Sequence, residues 1–236
     1  MPTPSELRVR LDEAADVTAL RYAAARPRLG ATIVLAHGAG AGQRSPFMTA
    51  FATALAALGI DVATFNFLYM EQRRRIPDRR PSLEGCYRAV IDAVGDRMEG
   101  AGDLLFIGGK SMGGRIATHV AAADRDRRIA GIVLLGYPLH PPGRPAERRD
   151  AHLSAVAPPM LFVQGSRDAF GSAAELEPVT SSLAAATLHI VTGGDHSLRV
   201  PRIPAGEQAA VYDGVQRAIV RWIEEIVRTG RSPRSG

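Results

Sequence analysis

Residues 103–114 read Asp-Leu-Leu-Phe-Ile-Gly-Gly-Lys-Ser-Met-Gly-Gly, an apolar strand running into G-x-S-x-G and then into a helical pattern. In that order the motif puts a serine on a tight, strained turn where its Oγ stands clear of a sheet and can act as a nucleophile. Gly109 and Gly113 remove side chains that would collide at the turn, and the amides opening the helix face developing negative charge. Two other chemistries share the neighbourhood and fail on spacing. Gly109-Lys110-Ser111 is the tail of a phosphate-binding loop, but the first glycine of that motif would fall at Leu104, inside the strand. Gly38, Gly40 and Gly42 follow a strand, yet Gln43 and Ser45 break the dinucleotide pattern.

A nucleophilic Ser111 needs a base and an acid at later strand ends, in the chain order serine, acid, histidine. Asp168 follows the apolar run 160–165, and His196 follows the run 187–191 in Gly-Gly-Asp-His-Ser. Asp195 is the second candidate for the acid. Of the other histidines, His189 lies within a strand, His119 on a helix, and His140 and His152 in a long connection. His37 opens His-Gly-Ala-Gly after the run 32–36, where the backbone matters more than the ring: the amides of Ala39 and Met112 are the expected oxyanion donors. Loops at the strand ends offer Phe67, Tyr69, Met70, Tyr137, Leu139 and Phe170 as pocket residues, or equally as loop anchors in the core.

These residues require a parallel sheet to position them. Alternation in residues 6–11 predicts a half-buried antiparallel strand paired with 17–23; continuous apolar runs at 32–36, 60–65, 104–108, 131–135, 160–165 and 187–191 predict strands buried on both faces. Helical patterns lie between them: one capped by Ser45 and Pro46 and stopped by Gly59, one capped by Ser82 with Leu83, Tyr87, Val90, Ile91, Val94 and Met98 inward, one over 112–123, and a last one through Trp222 to Gly230. The reading is α/β, a mostly parallel eight-stranded sheet with helices on both faces, in one domain over residues 1–228 with a flexible tail at 229–236. The connection 136–159 has room for one short helix and no large lid.

Composition narrows the rest. With 236 residues, 46% apolar and 22% charged, the chain can build a sizeable core, and no apolar run approaches the roughly 20 residues of a membrane helix. One cysteine, Cys86, excludes an intramolecular disulfide and a cysteine-rich zinc site, so a reducing cytoplasm is expected. The net charge of +5 is scattered, and the lone lysine, Lys110, leaves 28 of the 29 basic residues as arginine, a bias that suggests a GC-rich bacterial genome. No nucleic-acid partner is expected. The dense cluster Arg73, Arg74, Arg75, Arg79 and Arg80 is either a solvated loop or a positive rim for anionic substrates. A compact ammonium beside the elbow implies an acidic or carbonyl partner for Lys110, with Glu71 as the first choice.

H-G-A-G at His37, F-N-F-x-Y-M-E from Phe65, G-K-S-M-G-G-R from Gly109, G-Y-P-L-H-P-P-G from Gly136, Q-G-S-R-D-A-F-G from Gln164 and G-G-D-H-S-L from Gly193 span almost the whole chain. Together they resemble the α/β-hydrolases, more narrowly the dienelactone-hydrolase-related group that includes NSL-complex subunit 3 and testis-expressed protein 30. Leu68 departs from the proline expected there. The resemblance implies the same Ser111, His196 and Asp168 and, for bacterial members, a generic hydrolase with no settled substrate; the triad chemistry itself suits a small-molecule acyl substrate and needs no metal or organic cofactor. The expected activity is a serine hydrolase cleaving an ester or related acyl bond. The alternative is a non-catalytic protein-interaction module on the same scaffold, and the oligomeric state is open.

Overall fold

The computed structural model describes residues 3–13, 15–97, 103–124 and 128–230. Their elements are β1 (Ser5–Arg10), β2 (Asp16–Tyr22), β3 (Ala31–Ala36), α1 (Pro46–Ala57), β4 (Asp61–Phe65), α2 (Leu68–Glu71), α3 (Arg80–Gly95), β5 (Leu104–Lys110), α4 (Met112–Ala122), β6 (Ile129–Leu135), β7 (Met160–Gly165), α5 (Ala173–Ser181), β8 (Ala186–Val191) and α6 (Ala205–Gly230), with a 3₁₀ turn at Leu153–Ala155. The strands form one sheet in the order β1-β2-β4-β3-β5-β6-β7-β8. β1 and β2 pair antiparallel, β2 joins β4 antiparallel, and the other neighbours are parallel.

Central strands bury both faces, which is why β3 and β7 read as unbroken apolar runs rather than as alternation. One core lies under α3, α4 and α5 and includes Tyr87, Ile116 and Leu176; the other lies under α1 and α6 and includes Phe51, Ile219 and Ile223. The connection between β6 and β7 holds only the 3₁₀ turn, so no lid domain covers the carboxyl ends of the strands. Among the described residues no helix is long and apolar enough to cross a membrane.

Two helices differ from expectation, α3 in its start and α5 in its existence. α3 starts at Arg80 with Arg79 as N-cap and Pro81 in the first turn, because proline's fixed φ suits that turn better than a cap one residue later at Ser82. Met98, expected on its inner face, lies outside the described residues. α5 is unforeseen, yet Ser172 and Glu175 form a capping box whose S-x-x-E spacing is visible in the sequence. α6 ends at Gly230 as expected and so overlaps the first two residues of the expected tail; residues 231–236 lie outside the described residues.

Candidate active site

The turn between β5 and α4 is built by close approach. At Gly113 a Cβ would lie 2.4 Å from the Ala36 carbonyl oxygen, and at Gly109 2.3 Å from the same atom, so only glycine lets α4 pack against the end of β3. Ser111 between them holds φ 51 and ψ −115, a left-handed conformation that costs on the order of 1–3 kcal/mol for a residue with a Cβ. The backbone offsets this by holding Ser111 N–H on Leu135 O at 3.0 Å and Ser111 O under Arg115 N–H at 3.1 Å. Ser111 sits at the N-cap of α4, but its hydroxyl makes no capping bond.

That hydroxyl instead meets His196 Nε2 at 2.8 Å, while His196 Nδ1 meets Asp168 Oδ2 at 2.7 Å. A carboxylate only accepts, so Nδ1 carries the proton and Nε2 presents its lone pair to the serine. The Asp168 side chain is fully buried and the His196 side chain is 21% exposed, so the carboxylate is shielded and the imidazole is reachable. Phe170 N–H donates to Asp168 Oδ1 at 2.8 Å, and Gln164 Nε2 donates to Oδ2 at 2.8 Å. Gln164 is buried at the end of β7 and also donates to Gly171 O at 2.6 Å while its Oε1 accepts Tyr137 N–H at 2.8 Å. It ties the acid's loop to the turn after β6, a role that sequence reasoning misses although Gln164 opens one of the quoted motifs. Asp195, the other candidate acid, caps its own loop by accepting Ser197 and Arg199 N–H at 2.8 and 2.9 Å.

The opposite wall is set by His37, which is fully buried. Its Nε2 accepts Phe67 N–H at 3.1 Å, leaving Nδ1–H to donate to Gly38 O at 2.7 Å; burial also keeps the ring neutral by lowering its pKa. Gly38 C=O and Ala39 N–H belong to one trans peptide and point in opposite directions. Fixing the carbonyl therefore fixes the amide. The Tyr69 hydroxyl then holds the next peptide through Ala39 O at 3.0 Å. Among the described residues neither Ala39 N–H nor Met112 N–H has a hydrogen-bond acceptor within the chain.

Residues 30–224 match the model of a family described as an alpha/beta hydrolase domain. The chain belongs to that family. Solved structures share its fold at low identity. An alpha-beta serine hydrolase homologue from Coxiella burnetii has a TM-score of 0.72 at 18% identity, covering 94% of this chain and 98% of its own. A serine hydrolase without a lid from Xanthomonas campestris has a TM-score of 0.70 at 22%, covering 92% and 96%. A dienelactone hydrolase from Anabaena variabilis has a TM-score of 0.68 at 18%, covering 97% and 99%.

Within this α/β-hydrolase domain several expected residues take other places. Phe67, Tyr69 and Tyr137 do not line an open pocket: all three rings are fully buried, Phe67 and Tyr69 edge-on to His37 and Tyr137 against Phe162. Their ring surfaces are too large to leave wet, so they anchor the strand-end loops from below, as does Leu139. Phe170 alone among the four aromatic candidates reaches the site, stacked on the His196 ring at 4.1 Å. Lys110 has a carbonyl partner as expected, but it is His196 O and not Glu71, whose carboxylate accepts Thr18 N–H at 3.0 Å. The ammonium lies 5.4 Å from the Phe47 ring, and burial lowers its pKa to about 8. The Arg73–Arg80 run is largely solvated, with Arg74 on Asp78 and Arg80 on Glu84. Cys86 offers no nucleophile, since burial pushes its thiol up to about 12.

Proposed function

We propose that the chain is a serine hydrolase that cleaves an ester or related acyl bond through Ser111, His196 and Asp168. The observation that carries this reading is the unbroken relay from Ser111 Oγ through both ring nitrogens of His196 to a buried Asp168. Ser111 Oγ attacks the acyl carbonyl as His196 Nε2 takes its proton. The tetrahedral oxyanion is met by Ala39 and Met112 N–H, a pair whose individual loss costs about 100 to 1,000-fold in rate. His196 returns the proton to the leaving group and the acyl-enzyme remains. Water, activated by the same imidazole, attacks it and frees Ser111. Asp168 holds the tautomer throughout. No step draws on a metal or an organic cofactor.

The narrower kinship with the dienelactone-hydrolase-related group, including NSL-complex subunit 3 and testis-expressed protein 30, rests on the six motifs, and the single cysteine suits a reducing cytoplasm. A non-catalytic interaction module gives no physical reason to hold three reactive side chains in line over a strained backbone. The test is a panel of acyl esters and thioesters of graded chain length, assayed on wild type and Ser111→Ala. The reading predicts turnover that the variant lacks; equal turnover by both removes it.

A further inference from the structure

Arg115 lies one turn into α4 behind Ser111, about 6 Å along the helix axis. A helical side chain leans back over the turn N-terminal to its own Cα, so this guanidinium leans toward the nucleophile end of α4. Its Nε is buried without a hydrogen-bond partner. Among the described residues no carboxylate pairs with Arg115, and its charged neighbours are Arg149, from the connection after β6, and Arg80, at the start of α3. Alongside, His119 and His152 stack at 3.6 Å with their planes 13° apart. The Thr118 hydroxyl donates to Arg115 O at 2.7 Å and so receives the Nε2–H of His152 at 2.8 Å. Burial and the adjacent arginines hold both imidazoles near a pKa of about 4, neutral at pH 7. Of the acids nearby, Asp150 pairs with Arg148, and Glu84 with Arg88 and with Arg80 itself.

Glu84 meets Arg80, but among the described residues no carboxylate pairs with Arg115 or Arg149, and cations packed together without a counter-charge repel one another. We infer that Arg115, with Arg149 and Arg80, forms an anion subsite that binds a carboxylate or phosphate at the far end of the substrate's acyl chain. Guanidinium forks suit either group bidentately. Arg115 and Arg149 are half-buried and Arg80 is exposed, so an anion can enter from solvent. Because Arg115 follows Ser111 by about one helical turn and its side chain leans back over that turn, the anion it would hold belongs to a short acyl chain. The place of this subsite in catalysis rests on Ser111 being the nucleophile; the binding of an anion there does not.

The experiment therefore has a binding arm and a turnover arm. Inorganic phosphate and glutarate are titrated by calorimetry and by the imidazole proton resonances of His119 and His152, using wild type, Ser111→Ala and Arg115→Gln. Binding by the first two, weakened at least tenfold in Arg115→Gln and accompanied by a rise in the histidine pKa values, is the expected result. Equal binding by all three proteins, or none by any, overturns the site. In the turnover arm, 4-nitrophenyl pentanoate is compared with the 4-nitrophenyl monoester of glutaric acid, whose carboxylate replaces the terminal methyl. Wild type should favour the anionic ester in kcat/KM, and Arg115→Gln should reduce that preference at least tenfold. Anion binding with no such preference overturns the substrate assignment. If neither ester is turned over, the hydrolase reading fails while the binding arm still decides the subsite.

Discussion

Replacing Lys110 by Met removes a buried charge and a tether together, and pH separates the two effects. The folded chain holds the ammonium at about 8, below its ordinary 10.5, because burial disfavours the charge more than Asp168 and Asp195 favour it. At 1.36 kcal/mol per pKa unit, that gap amounts to about 3 kcal/mol. Below pH 8 both folded and unfolded chains carry the proton, so wild type bears the whole cost. Between pH 8 and 10.5 the unfolded chain binds more protons than the folded one, and stability rises with pH. Above 10.5 the cost is gone. Against this, Met cannot donate to His196 O, a loss of about 1.5–3 kcal/mol for a charged donor. Near pH 7 the two effects nearly cancel, so the slope is the decisive quantity. Urea unfolding of both proteins at matched ionic strength from pH 6.5 to 10.5 should show wild type gaining about 3 kcal/mol on Lys110→Met, at most about 1.4 kcal/mol per pH unit. A stability difference that stays flat over this range refutes the buried ammonium. Because the tether holds the loop carrying the base, kcat/KM of the variant should also fall about tenfold, equivalent to about 1.4 kcal/mol.

Asp168→Asn should keep the fold, by its melting temperature, yet lose about 10⁴-fold in kcat, since an amide can hold the ring in the wrong tautomer. Gly113→Ala should lose activity together with stability by about 3 kcal/mol or more in urea unfolding, because its Cβ would fall 2.4 Å from Ala36 O and 2.7 Å from His37 O, both backbone atoms that cannot swing aside. Gln164→Leu leaves Tyr137 N–H and Gly171 O without their partner and Asp168 with one donor fewer. At about 1–3 kcal/mol per orphaned buried group, calorimetry should show its melting temperature lowered by at least about 4 °C.

How much of this the sequence carries differs from place to place for physical reasons. Strands buried on both faces leave long apolar runs, and a strand followed by a glycine-flanked serine admits only one tight turn, so β5, the Ser111 elbow and the strand ends bearing Asp168 and His196 are legible. Side-chain direction in the irregular segments is not, because no periodicity operates there. Phe67, Tyr69 and Tyr137 follow strand ends just as pocket residues would, and only three-dimensional packing turns them inward. The partner of Lys110 illustrates the same limit, since His196 lies 86 residues away and contributes a backbone carbonyl that no residue type announces. Gln164 and the cations around Arg115 come together only when β7, α3, α4 and the connection after β6 are assembled. α5 is different, for its Ser172–Glu175 capping box is present in the sequence as a local signal.

The most direct measurement of the central claim is covalent labelling with a fluorophosphonate, mapped by mass spectrometry of the digested protein. The relay of Ser111, His196 and Asp168 predicts one adduct per chain, on the peptide containing Ser111, absent from Ser111→Ala and strongly slowed in His196→Ala, with ester turnover lost in parallel. An adduct on another residue, or ester turnover that persists in Ser111→Ala, would contradict it.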